Sequence, residues 1–112
     1  MRQRCCIGLV AEHQENVVGY AVYEFHPKRI DLLNLAVRPS SQGSGVGKAI
    51  VDKLKGKLCE QRRKKIQLKV RETNLNAQLF FRSQGFRAIA VVESDGKFSD
   101  EDNYLMEYHH HH

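Results

Sequence analysis

Gln42-Gly43-Ser44-Gly45-Val46-Gly47-Lys48 is the stretch whose reading decides the fold. Before it runs Ile30 to Val37, apolar nearly throughout, as a strand buried in the middle of a sheet would be. After it, Val46, Ala49, Ile50, Leu54 and Leu58 recur at helical spacing, while Lys48, Asp52, Lys53, Lys55 and Lys57 fall largely on the other side. A glycine-rich turn between a strand and a helix start gathers backbone N–H groups at the positive end of the helix dipole, an arrangement suited to phosphate. Glycine lets an anion approach the backbone closely. Two phosphate motifs fail here. Counting from Gly43, both the Walker A pattern and the dinucleotide GxGxxG require glycine at position 48, which is Lys48. By itself the turn is equally compatible with one that holds no ligand.

Working outward, Arg4 to Glu12 and Val17 to Phe25 read as two strands joined by the turn His13 to Asn16, an antiparallel hairpin. Pro27 closes the second strand and Pro39 closes the third, Ile30 to Val37. Downstream, Ile66, Leu68 and Val70 alternate with Gln67, Lys69 and Arg71, a strand pattern. Asn74 sits at a helix cap, Leu75, Leu79 and Phe80 form the apolar face, and Gly85 supplies a left-handed stop. Strands at Phe86 to Val92 and Asn103 to Tyr108 flank an acidic loop, Glu93 to Asp102, expected to be mobile. The order β-β-β-α-β-α-β-β describes an α+β domain with a mixed sheet of about six strands and two main helices. The unit from Ile30 to Arg71 is expected to be a right-handed crossover between parallel strands.

The chain has 112 residues, room for one domain, expected to be residues 1–108. His109 to His112 read as the remnant of a purification tag and are set aside. Hydrophobic residues make up 41% and charged residues 28%, the balance of a globular protein. No apolar run approaches the roughly 20 residues of a membrane-spanning helix, so no membrane partner is expected. Cys5, Cys6 and Cys59 form no disulfide framework and no CxxC, which points to reduced thiols in the cytoplasm and to no metal site. The net charge of +5 comes with basic clusters at Lys53-Lys55-Lys57 and Arg62 to Lys65. No aromatic residues interleave with them, so a solvated face is favoured over a nucleic-acid surface.

Gln42-x-x-Gly45-x-Gly47, preceded by Leu33-Asn34-Leu35-Ala36-Val37-x-Pro39 and followed by Asn74-x-x-Ala77-x-x-Phe80-Phe81-x-x-x-Gly85-Phe86, resembles the GNAT superfamily of acetyl-CoA-dependent N-acetyltransferases. The nearest subgroup is the RimI-like ribosomal-protein alanine acetyltransferases. The resemblance implies acetyl-CoA as co-substrate. It implies that Leu35, Ala36 and Val37 pair with the pantetheine arm through their backbones. It also implies that Gly43, Ser44, Gly45, Val46, Gly47 and Lys48 hold the pyrophosphate, that Gln42 braces the turn, and that Asn74 and Phe81 border the cofactor.

The chemistry departs from the family at two places. Where RimI-like enzymes carry a glutamate base, this chain has Lys69, and where they carry the tyrosine that protonates the leaving thiolate, it has Phe81. A phenyl ring has no proton to give, and an ammonium is a poor base. A protein N-terminal α-amine, whose pKa is about 7.7 to 8.0, retains a neutral fraction without help and is the favoured acceptor. Asp31, on the face of Leu33 and Leu35, is the substitute base, or else a surface carboxylate at a strand start. Tyr104 and Tyr108 are alternative acids, or else packing residues. A small-molecule amine acceptor and a non-catalytic acyl-CoA-binding module stay open. Family members also begin with a strand and helices that shape the acceptor site, and here the hairpin starts almost at Met1. That leaves a minimal variant, a start inside a longer frame, or a homodimer that completes the cleft.

Overall fold

The computed structural model describes residues 6–94 and 101–110. Its strands are β1 (Cys6–His13), β2 (Asn16–Phe25), β3 (Arg29–Val37), β4 (Lys65–Arg71), β5 (Arg87–Val92) and β6 (Asn103–His109). Its helices are α1 (Val46–Glu60) and α2 (Leu75–Ser83), with a single 3-10 turn at Pro39–Ser41. The six strands form one sheet in the order β1-β2-β3-β4-β6-β5. β1, β2 and β3 are an antiparallel meander, β3 and β4 are parallel across α1, and β6 runs antiparallel between β4 and β5. The mixed α+β architecture is therefore the one that the strand and helix periodicities called for. Arg4 and Cys5, and Gly96 within the acidic loop, lie outside the described residues. The loop's near ends are tied: Glu72 N–H donates to Asp102 O at 3.0 Å, and Ser94 N–H to Asp102 Oδ1 at 2.9 Å.

The core lies on one face of the sheet, where Ile50, Val51, Leu54 and Leu58 of α1 meet Ala21, Tyr23, Ile30, Leu32 and Ile66. Phe81 of α2 joins the same cluster with Phe86 and Met106. Three details differ from the sequence reading. In α1, Val51 is buried and Ala49 is exposed, because the face that meets the sheet is centred on Leu54. In α2, Leu75 and Leu79 point to solvent, since the nine-residue helix turns the larger Phe81 ring inward onto Phe86, with centroids 5.3 Å apart. Finally, β6 runs one residue into the histidine run, and His109 pairs with Lys65.

The basic clusters are also less solvated than expected. Lys55 Nζ donates to Gln84 O at 2.5 Å and stands 4.4 Å above the Tyr108 ring, clamping α1 to the α2–β5 turn. Arg63 Nε donates to His26 O at 3.0 Å, and its guanidinium covers Phe25 at 5.1 Å. Lys65 is the first residue of β4 and lies 3.2 Å from the buried carboxylate of Glu107.

Asn74 caps α2 by accepting from Ala77 N–H at 3.2 Å, and Gly85 ends the helix turn at φ +93°. Asn74→Ala is expected to cost about 1 kcal/mol in a urea melt, whereas Asn74→Ser, which can still cap, is expected to restore most of it.

Candidate active site

The glycine turn adopts backbone angles that require glycine. Gly43 stands at φ +82° and Gly45 at φ +89°, a region other residues enter only at a cost. Gly45 is the N-cap of α1, where no side chain caps the helix and no acidic residue occupies the first turn. The helix start therefore offers its N–H groups and dipole to an outside anion. A Cβ at Gly47 would come within 3.1 Å of Phe80 Cζ, so that glycine serves the close packing of α1 on α2. Gln42 Nε2 donates to Val37 O at 3.2 Å and Ser44 Oγ donates to Ser41 O, pinning the turn to the end of β3. Lys48, in the first helical turn, is held by Asp52 at 2.7 Å.

Beside this turn the sheet opens. β3 and β4 pair only from Arg29↔Lys65 to Asp31↔Gln67, and beyond that point they part. Leu35 and Val37 keep their partners Ala21 and Gly19 on β2, but the β3–β4 ladder does not reach them. Their outer backbone groups can pair with an extended ligand laid in the gap. A cavity of about 220 Å³ fills the gap, walled by Leu32, Leu35, Lys69, Val70, Asn74 and Phe81 among others. A second, of about 440 Å³, runs from it to the glycine turn, with Gln42, Gly43, Gly45, Gly47, Lys48 and Ala77 in its wall. Leu35, Ala77 and Phe81 belong to both. The structure thus gathers Leu35, Val37, Gln42, Gly43, Gly45, Gly47, Lys48, Asn74 and Phe81 along one groove. An anion-binding end with an unladdered strand edge beside it fits a phosphate-bearing extended molecule such as acyl-CoA.

The surroundings of Asp31 differ from expectation. β3 carries a bulge at Leu33, where the β2–β3 register shifts between Val22↔Asn34 and Tyr23↔Leu32. The extra residue reverses the alternation, so Asp31 faces away from the helices while Leu35, opposite the buried Ala21, faces them. The expected shared face of Asp31 and Leu35 is therefore corrected. Asp31 instead stands in a row of paired residues crossing all six strands: Cys6, Glu24, Asp31, Gln67, Glu107 and Arg87.

Both Asp31 oxygens are engaged. Arg29 Nε donates to Oδ1 at 2.8 Å, and His26 Nε2 lies 3.1 Å from Oδ2. The same His26 nitrogen is 2.9 Å from Oε1 of the buried Glu24. The hydrogen bond and charge of Asp31 hold the Arg29 guanidinium above its ordinary pKa, so the guanidinium stays charged. Glu24, His26 and Asp31 place their ligand atoms within 4.8 Å of one another, a spacing open to a cation. Yet His26 already stands between the two carboxylates and Arg29 covers the far edge of Asp31. The cluster walls a cavity of about 490 Å³ that adjoins the strand gap through the shared residues Leu32, Leu33, Leu68 and Lys69.

Phe81 is buried and edge-on to Phe80, centroids 5.1 Å apart. Tyr104 and Tyr108 pack against the core from β6. Sequence reasoning missed the parting of β3 from β4, the bulge that causes the face reversal, and the place of His26. No residue type in β3 marks the bulge, so nothing in the sequence signalled them.

Against known proteins, residues 1–86 of the 112 match the pattern of the Acetyltransferase (GNAT) family. The ribosomal protein bS18-alanine N-acetyltransferase of Haemophilus ducreyi is 29% identical over 85 residues, 76% of this chain. The chain spans 59% of the length of that relative. Among solved structures, nourseothricin acetyltransferase superposes with a TM-score of 0.86 at 24% identity, covering 93% of this chain and 65% of its own. A GNAT family acetyltransferase from Elizabethkingia anophelis with acetyl-CoA bound gives 0.82 at 17% identity, over 90% of this chain and 74% of that one. At these identities the structural likeness is one of fold. The family match reaches well beyond the glycine turn at both ends, and the chain belongs to the GNAT acetyltransferase family.

Proposed function

We propose that this chain is an N-acetyltransferase that moves an acetyl group from acetyl-CoA to an amine, with a protein N-terminal α-amine as acceptor. The observation that carries the reading is the parting of β3 from β4 directly beside an uncapped, glycine-opened helix start. In this reading the first-turn amides of α1 take the pyrophosphate, and the free edge of Leu35 to Val37 takes the pantetheine arm. The thioester then lies in the gap between the strands. The acceptor enters from the opposite face, through the cavity walled by Glu24, His26 and Asp31. The bS18-alanine acetyltransferase relative supports a protein α-amine and a cytoplasmic setting.

Asp31 is assigned as proton acceptor through a water, because its own oxygens are already met by Arg29 and His26. An α-amine asks little of it, since part of the amine is neutral at pH 7. Titration of the isotope-labelled chain with acetyl-CoA is expected to move the amides of Val37, Gly43 to Lys48 and Asn74 at micromolar concentrations. Thiol release measured over N-terminal peptides, lysine peptides and small amines is expected to be fastest with the N-terminal peptides. Amides that stay still through the titration would remove the acyl-CoA assignment. Binding without thiol release on any acceptor would leave a non-catalytic acyl-CoA module.

A further inference from the structure

Lys69 is the charged residue that the acyl-donor cleft and the acceptor cavity share. It is exposed on β4, two residues past the last β3–β4 pair, and it walls both the gap cavity and the cavity on the opposite face. Its cross-strand partner is the apolar Leu105. Arg29, the other cation in the acceptor cavity's wall, is taken up by Asp31, His26 lies beside Glu24, and Arg71, in the gap cavity's wall, stands 3.9 Å from Glu101. Among the described residues Lys69 forms no ion pair. Lys69 thus puts a side-chain cation with no ion-pair partner among the described residues in the wall of both cavities, where negative charge would develop during transfer from a thioester.

Resting on the acetyl-transfer reading above, we infer that Lys69 is a catalytic residue, and that its ammonium stabilises and protonates the departing CoA thiolate. The amine lone pair forms the new C–N bond at the thioester carbonyl, and the C–S bond breaks with its electron pair left on sulfur. Lys69 Nζ gives one proton to that sulfur, the nitrogen that becomes the amide sheds one through a water to Asp31, and exchange with solvent returns the proton from Asp31 to Lys69. The net change is amine plus thioester to amide plus thiol, and Lys69 ends as it began. This assigns to β4 the leaving-group chemistry that the phenyl ring of Phe81 on α2 cannot perform.

The test titrates the thiol of bound CoA by its thiolate absorbance, taking the difference between the full chain loaded with CoA and loaded with desulfo-CoA. This cancels the protein's own cysteines. In the wild-type chain the bound thiol is expected to ionise about tenfold more readily than in Lys69→Met, roughly one pH unit. Lys69→Arg, which keeps the charge, is expected to lie close to wild type. In acetyl transfer, Lys69→Met is expected to lower kcat on the order of 10²-fold with KM for acetyl-CoA little changed. Equal thiol acidity in wild type and Lys69→Met overturns the proposal, as does an unchanged kcat. A wild-type chain that binds no CoA removes the acyl-CoA reading and this one together. An acidified thiol with no transfer to any amine overturns the transferase reading and with it the catalytic role of Lys69, whereas transfer with equal thiol acidity overturns the role of Lys69 alone.

Discussion

Gly45→Val is expected to raise the Kd for acetyl-CoA on the order of 10²-fold, equivalent to about 2.7 kcal/mol, while the chain still folds. Two effects combine. Gly45 sits at φ +89°, and holding a β-branched residue there costs about 1–2 kcal/mol. A Cβ at this position meets no atom of the chain within 4 Å, so the fold itself has room for it. That same open space lies over the first-turn amides, where the phosphates must come close. The added methyl groups therefore fall on the ligand and not on the core. Calorimetric titration checks the affinity, and a thermal melt checks that the loss is not unfolding. Gly56→Ala is the matched control, because Gly56 lies mid-helix with open space around it. It is expected to stabilise by roughly 0.5–1 kcal/mol and to leave binding alone. Equal affinity in Gly45→Val and wild type would show that the turn does not hold the ligand.

Phe86→Ala is expected to remove about 3–5 kcal/mol of folding stability. Phe86 is 2% exposed and joins α2 to β6, with ring centroids 5.3 Å from Phe81 and 5.6 Å from Tyr108. Its loss opens a cavity under α2 that neither ring can refill without leaving its other contacts. Domains of this kind hold roughly 5–15 kcal/mol, so the variant is expected to unfold at a much lower urea midpoint. The same cavity undermines Phe81, which walls the acyl-donor groove, so affinity for acetyl-CoA is expected to fall as well. A folding stability within about 1 kcal/mol of wild type would mean that the site collapses around the gap.

Much of the scaffold is legible residue by residue. Alternation of Ile66, Leu68 and Val70 with Gln67, Lys69 and Arg71 fixes β4, since a half-buried strand must change face at every step. Asn74 and Gly85 mark the ends of α2 because a capping oxygen and a positive φ are needed there wherever the helix packs. The face that α2 buries is not legible in the same way. Leu75 and Leu79 are spaced one turn apart and still face solvent, because a short helix takes its orientation from the largest ring that the neighbouring strands can accept. Lys55 reads as a surface charge and proves to be a clamp, since its partners Gln84 and Tyr108 lie far along the chain.

The division for the site follows the same physics. The glycine turn, its strand before and its helix after, and the missing proton on Phe81 are all properties of local sequence, which sets backbone freedom, periodicity and side-chain chemistry. The length of the β3–β4 ladder, the reversal of Asp31 by the bulge at Leu33, and the position of Lys69 between two cavities are properties of strand register. Register depends on how β2, β4 and the two helices pack together, and a one-residue slip there moves a side chain to the other face of the sheet. By itself, then, the sequence determined where a glycine-opened helix start would stand. Only the tertiary structure decided which charged side chains meet it across the gap.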